Sequence, residues 1–398
     1  ALLMTPSLLI SLCDGGADSL AFLIAIGVAL LVGFILSRKK NHSKLISPRE
    51  GLAIVTFGWI FASLVGAIPL YLSASTNTYI EAFFEIVSGF TTTGASVISN
   101  VEALPRGILF WRSFTHWIGG MGILVFTVAL LPALGIGGFQ IFKAESPGPV
   151  AGKVAPRIRD TAKILYSTYF VITIIQIGLL LFGGMNLFDA LLHTFGTVGT
   201  GGFGIKNNSV GYYNSTYIHM VIGVFMALSG INFSLYYSLY KGKLREAFHN
   251  EELKLYLGII FFSTLAISLN LYLSNYNSFG VSARDSFFQV SSIITTTGYS
   301  TSDFNLWPSF SKGILLILMF IGGSAGSTAG GIKVIRILIM FKLIKREITK
   351  IFHPRAVIPI KNDDKAIANE VVAGIYSFIA LYFVIFALGT LLVSLEGV

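Results

Sequence analysis

The sequence predicts an all-α integral membrane protein: repeated helix–pore loop–helix units around a central pore, with extra N-terminal helices. Composition is the first observation. Of 398 residues, 54% are hydrophobic and 12% are charged, whereas a water-soluble chain carries about 25% charged residues. The second is that the apolar residues fall in long runs, which in lipid form helices because a helix satisfies its own backbone. The third is a motif that returns: an acid, a small residue, two bulky apolar residues, and a glycine thirteen positions after the acid. Its copies open at Glu81, Asp189 and Asp285 and close at Gly94, Gly202 and Gly298. They mark an internal repeat of about 100 residues, which any reading of the fold must respect.

Residues 1–12 are apolar without a basic leader and read as the tail of a cropped helix rather than a signal peptide. Residues 19–36 form a first complete span and 51–72 a second. Residues 81–90 are too short to cross, since ten helical residues reach about 15 Å, half of a bilayer core. This segment enters and turns back, with 91–96 lining the return. The span 107–134 follows, and then a basic Pro/Gly-rich link over 143–163. The pattern repeats with a span at 164–182, a short helix at 187–196, a return at 197–203 and a span at 217–240. It repeats again at 253–273, 284–294, 295–299 and from Gly313 onward. A fourth unit begins at about Val371, and the sequence ends at Val398 before a fourth loop. The expected division is N-terminal helices over 1–50, unit 1 over 51–142, unit 2 over 143–249 and unit 3 over 250–362. Residues 363–398 give the first helix of unit 4, whose remainder is expected in a longer protein.

Charge sets the orientation. Of 28 Lys and Arg residues, 23 lie in 38–50, 143–163, 241–254 and 333–365. By the positive-inside rule these clusters are cytoplasmic. Arg106, Arg112, Lys206, Arg284 and Lys312 lie on the other side, from which the short segments dip in. The net charge of +9 is explained by this distribution, not by nucleic acid. The single cysteine, Cys13, excludes an internal disulfide framework. No zinc spacing, Walker loop or dinucleotide fingerprint is present, so no organic cofactor is expected.

The returns carry the chemistry. Irregular backbone at membrane depth is tolerated only against protein or a water-filled cavity. A Thr/Gly run exposes carbonyl oxygens, and several such runs about one axis replace an ion's hydration shell. Each short helix aims its partially negative C-terminal end at the same place, which favours a cation. The candidate ligands are Thr92, Thr93 and Gly94, then Gly199, Thr200, Gly201 and Gly202, then Thr296, Thr297 and Gly298. Glu81, Asp189 and Asp285 lie too far back to touch an ion and are expected to stabilise the N-termini of the short helices.

These motifs, with Trp117 to Gly122, Ile136-Gly137-Gly138, Glu145-Ser146-Pro147-Gly148-Pro149 and the stretch from Gly322 to Arg336, cover nearly the whole chain. Together they resemble the Trk/Ktr/HKT superfamily of potassium transporters, and within it the bacterial TrkH branch. The resemblance implies four units around one pore, each giving a strand of a potassium-selective filter, in the bacterial inner membrane with the filter loops facing outside. Glycine at the filter position of each unit goes with potassium in that family, and Gly94, Gly202 and Gly298 keep it. It also implies a homodimer on a cytosolic nucleotide-binding regulatory subunit of the TrkA kind, docked on basic loops such as 342–361. Anionic membrane lipid would attract the same residues by about 1 kcal/mol each.

The span after the third loop is interrupted by Gly322, Gly323, Ser324, Gly326, Ser327, Thr328, Gly330 and Gly331. Five glycines there break a helix, each costing about 1 kcal/mol against alanine. A flexible gate below the filter is expected, with Lys333 and Arg336 opening the cytoplasmic half. The alternative is a rhomboid-like intramembrane serine protease built on Ser324, which would need His116 or His193 as its base.

Overall fold

The computed structural model describes residues 1–16, 18–38, 48–122, 158–276, 278–363 and 365–395. Helix α1 covers Thr5–Cys13, α2 Ser19–Ser37, α3 Pro48–Leu72, α4 Tyr79–Phe90 and α5 Arg106–Gly120. Then come α6 Ile158–Phe182, α7 Leu187–Val198, α8 Thr216–Ser229, α9 Phe233–Tyr240 and α10 Leu244–His249. Helices α11 Glu251–Leu273, α12 Phe279–Ile294, α13 Ser309–Ile321 and α14 Val334–Phe352 follow. A small antiparallel hairpin pairs β1 Lys361–Asn362 with β2 Lys365–Ala366, before α15 Asn369–Ser394.

Among the described residues, five helices are long and apolar enough to cross a membrane, and α8 with α9 make a sixth if taken as one span. The chain is a multi-pass membrane protein. Three times, a long helix, a short helix and a return helix pack together: α3, α4 and α5; α6, α7 and α8; α11, α12 and α13. Each triplet has its own apolar core. Ile86, Phe90 and Trp111 centre the first, Tyr169, Ile222 and Phe225 the second, and Tyr256, Val290 and Ile294 the third. Contacts of α5 with α7 and of α8 with α12 join one triplet to the next. This places the three short helices around a common centre.

Local sequence explains the short helices. Thr78 caps α4 in a capping box: its side chain accepts from the Glu81 amide, and Glu81 accepts in return from the Thr78 amide at 3.3 Å. Asn186 caps α7 by accepting from the Asp189 amide at 2.9 Å. The expected helix-start role thus holds for Glu81, and Asp189 lies in the first turn of α7. It does not hold for Asp285. Helix α12 starts at Phe279, so Asp285 sits in its second turn, buried and paired with Arg284 at 2.8 Å.

The single span expected over 217–240 is broken. Helices α8 and α9 meet at 94°. Residues 230–232 make the corner, and Asn232 caps α9 by accepting from the Ser234 amide at 2.9 Å. The backbone groups freed at the corner are bonded by the glycine-rich stretch described below. The helix expected over 107–134 ends earlier: α5 stops at Gly120 and turns over 121–122, with Gly122 left-handed at φ 54°. Residues 123–134, Ile136-Gly137-Gly138, 145–149 and most of the basic link lie outside the described residues.

Candidate functional site

The three returns share one backbone path. Each short helix ends in a turn whose sixth residue bonds back to the first: the Thr93 amide to the Ser88 carbonyl, Gly201 to Gly196 and Thr297 to Ser292, all at 2.9 Å. Such a turn needs a left-handed residue, usually glycine. Here it is Thr92, Thr200 and Thr296, with φ of 54°, 54° and 56°. A β-branched residue pays about 1–2 kcal/mol for that conformation, and its recurrence at one register marks a built feature rather than a local accident. Two residues later Gly94, Gly202 and Gly298 are left-handed as well, at 76°, 76° and 84°.

These glycines are brought together. A β-carbon on Gly94 would overlap the Gly201 carbonyl oxygen and would lie 3.8 Å from that of Thr297. A β-carbon on Gly202 would overlap the Thr297 carbonyl oxygen. The three loops therefore meet at one place, with carbonyls of the second and third against glycines of the first and second. The C-termini of α4, α7 and α12 converge there and add partial negative charge.

The second loop has no side chains at the positions of Thr91 and Thr93, and His116 of α5 explains why. In the third loop the Thr295 and Thr297 hydroxyls bond each other at 2.7 Å, as those of Thr91 and Thr93 do at 2.8 Å in the first. Gly199 and Gly201 replace that pair. Gly199 backs onto the His116 carbonyl and Gly201 onto its ring. The ring stacks on Phe203 with centroids 4.1 Å apart, and its Nδ1 accepts from the Phe203 amide at 3.4 Å.

A buried ion pair locks the first two loops. Arg112 and Glu85 have side chains 1% and 0% exposed, with an N–O distance of 2.6 Å. Glu85 also accepts from the Ser96 hydroxyl at 2.9 Å and the Val97 amide at 3.1 Å, just past the first loop. The guanidinium lies 4.1 Å from the Phe203 ring centroid and reaches the Gly204 carbonyl at 3.4 Å, just past the second. In the third, the Tyr299 hydroxyl donates to the Phe203 carbonyl at 3.2 Å.

The glycine-rich stretch packs against the same loops. Its ends close on each other, with left-handed Gly322 and Gly331 in backbone contact, and the Gly323 carbonyl accepts from Val334 at 3.0 Å. The Ser324 amide donates to the Gly230 carbonyl and the Phe233 amide to the Gly326 carbonyl, both at 2.9 Å. These two bonds satisfy the corner between α8 and α9. The Ser327 hydroxyl bonds the Ser324 carbonyl at 2.6 Å. Two further bonds reach the end of α7 and the third loop. The Thr328 hydroxyl donates to the carbonyl of Val198, the last residue of α7, at 3.0 Å. The Gly330 amide donates to the Thr296 hydroxyl at 2.8 Å.

Residues 19–259 and 252–397 match the TrkH family, described as cation transport proteins. The chain belongs to the TrkH family. The Trk system potassium uptake protein TrkH of Escherichia coli (strain K12) is 40% identical over 402 residues, covering 100% of this chain and 83% of that protein. The TrkG protein of the same strain is 37% identical, with coverage of 96% and 80%. The crystal structure of the potassium transporter TrkH from Vibrio parahaemolyticus superposes with a TM-score of 0.88 at 33% identity, covering 100% of this chain and 83% of that one.

As a TrkH-family chain this is a transporter and not an enzyme, and the protease reading falls with its geometry too. Ser324 is buried, its hydroxyl meets no partner among the described residues, and His116 is engaged with the second loop. His193 packs between Tyr213 and Tyr299. The sequence reading missed Glu85 and His116 as braces, and counted Arg112 only as a basic residue of the outer side. An acid inside an apolar short helix was the available signal, because intramembrane charges are rare and paired.

Proposed function

We propose that this protein takes up potassium through a filter lined by Thr92, Thr93, Gly94, Gly199, Thr200, Gly201, Gly202, Thr296, Thr297 and Gly298. The observation that carries the reading is the meeting of three identically folded returns, with carbonyl oxygens of one against the glycine of the next. Carbonyl oxygens grouped in this way stand in for the water around a monovalent cation. Relatives named potassium uptake proteins support the choice of ion. Residues 322–331 act as the gate, and their bonds to Val198 and Thr296 hold them beneath the filter. The filter faces outside and the basic segments the cytoplasm, following the positive-inside rule. The names of the relatives speak of a Trk system, in keeping with a homodimer working with a cytosolic nucleotide-binding regulatory subunit.

The test is growth of a potassium-uptake-deficient cell at low potassium, carrying the full-length protein or its Gly94→Ser form. The wild type restores growth. The serine side chain overlaps the second loop, so the variant loses uptake or admits sodium. An expressed wild type that restores nothing overturns the proposal.

A further inference from the structure

Helix α11 begins with two adjacent acids that do different things. Glu251 pairs with Lys342, and its amide donates to Asp363 of the hairpin turn at 3.0 Å. Glu252 turns inward and is 5% exposed. Its Oε1 accepts from the Ala325 amide at 2.7 Å and from the Ile335 amide at 3.1 Å. Ala325 lies in the glycine-rich stretch and Ile335 in the first turn of α14 beyond it. One carboxylate oxygen thus ties the stretch to the helix that follows. The Ile335 amide is among those at a helix start that have no partner within the helix, and Glu252 supplies that partner. Lys333 is buried beside it, left-handed at φ 80°, with its ammonium on the Ala329 carbonyl.

The ties on the upper side of the stretch are neutral: Thr328 to Val198 and Ser229, and Gly330 to Thr296. The bonds of Glu252 fasten both the stretch and the start of α14 to α11 through one atom, and the Lys333 ammonium on the Ala329 carbonyl adds a second tie at that end.

We propose that Glu252 is the positioning residue that holds the glycine-rich stretch under the filter loops, so that its loss shifts the gate toward the open state. This rests on the permeation reading above. Glu252→Gln keeps the shape and one acceptor oxygen but not the charge, and Glu252→Ala removes both. The full-length protein is purified, checked for a monodisperse peak by size exclusion, and reconstituted without regulatory subunits. Potassium flux and its half-saturation are measured, with sodium as competitor. Glu252→Gln is expected to raise flux about threefold and Glu252→Ala about tenfold, the latter equivalent to about 1.4 kcal/mol. Half-saturation and the preference for potassium stay unchanged, because the filter is untouched. A merely structural role would lower the yield of folded protein and could not raise its flux.

If Glu252→Ala does not fold, Glu252→Gln alone decides. A folded variant with unchanged or lower flux, from a wild type that conducts, overturns the latch and leaves the permeation reading standing. A folded wild type without potassium flux overturns the permeation reading, and the latch with it.

Discussion

Replacing Glu85 by glutamine removes the counter-charge of a guanidinium that has almost no water to turn to. Both side chains are buried, and the carboxylate takes bonds from the Arg112 Nε at 2.7 Å, the Ser96 hydroxyl and the Val97 amide. Without it, Arg112 keeps the Gly204 carbonyl, the Ser96 hydroxyl at 3.2 Å and the face of Phe203. Losing one partner of a buried pair costs about 3–5 kcal/mol, while replacing both with groups of similar volume is often near neutral. Glutamine retains an acceptor, so Glu85→Gln is expected at the lower end, about 3 kcal/mol. Arg112→Met should cost about as much, because the carboxylate is then left without a counter-charge. The double variant should lose less than the two singles together, with a coupling of about 1–3 kcal/mol. The assay is thermal denaturation of the full-length protein in detergent, followed by the loss of its monodisperse peak. A Glu85→Gln protein as stable as wild type would refute the argument, as would a double variant that falls by the sum of the singles.

Thr296→Val removes the acceptor of the Gly330 amide while keeping the β-branched shape. It is expected to raise potassium flux severalfold without moving the thermal midpoint appreciably, and unchanged flux would remove this bond from the gate. Gly201→Thr rebuilds the threonine pattern of the other loops but drives a side chain into the His116 ring. It should cost about 1–3 kcal/mol as overpacking, and adding His116→Ala should restore part of the loss in the same denaturation assay. Outside the membrane, the Asn207 amide and the Lys206 ammonium hold the Glu102 carboxyl below its ordinary value of 4.5. A depressed carboxyl contributes stability above its unfolded pKa and loses it as pH falls through the folded value. Hydrogen exchange at Asn207, corrected for its intrinsic rate, should therefore lose protection below about pH 4.5, and Glu102→Gln should abolish that pH dependence.

Much of this arrangement was legible because identical local solutions leave identical spacing. The acid-to-glycine step recurs because three short helices run into the same left-handed turn at Thr92, Thr200 and Thr296. What escaped depends on partners far along the chain. In the apolar run 217–240, Gly230 and Asn232 are local helix stop and start signals, but they do not announce a right-angled corner. Its exposed backbone groups are tolerable only because Ser324 and Gly326, about ninety residues later, bond them. Glu252 looks like an ordinary helix-start acid until Ala325 and Ile335 are found on it. Asp285 matched Glu81 in register and still missed the same role, since α12 extends further upstream than its counterparts. The divergence of the second return, with Gly199 and Gly201 for threonines, makes sense only once His116 fills the vacated space.

The order in which the returns touch carries an evolutionary consequence. The room available at Gly94 is decided by a carbonyl of the second unit, and that at Gly202 by one of the third. Duplicated segments usually drift apart freely, each accumulating its own changes, as the glycine-for-threonine exchanges at 199 and 201 illustrate. At Gly94 and Gly202 that freedom is absent, since bulk gained by one copy would have to be answered by retreat in its neighbour. Divergence is thereby steered outward, to the shell behind the strands.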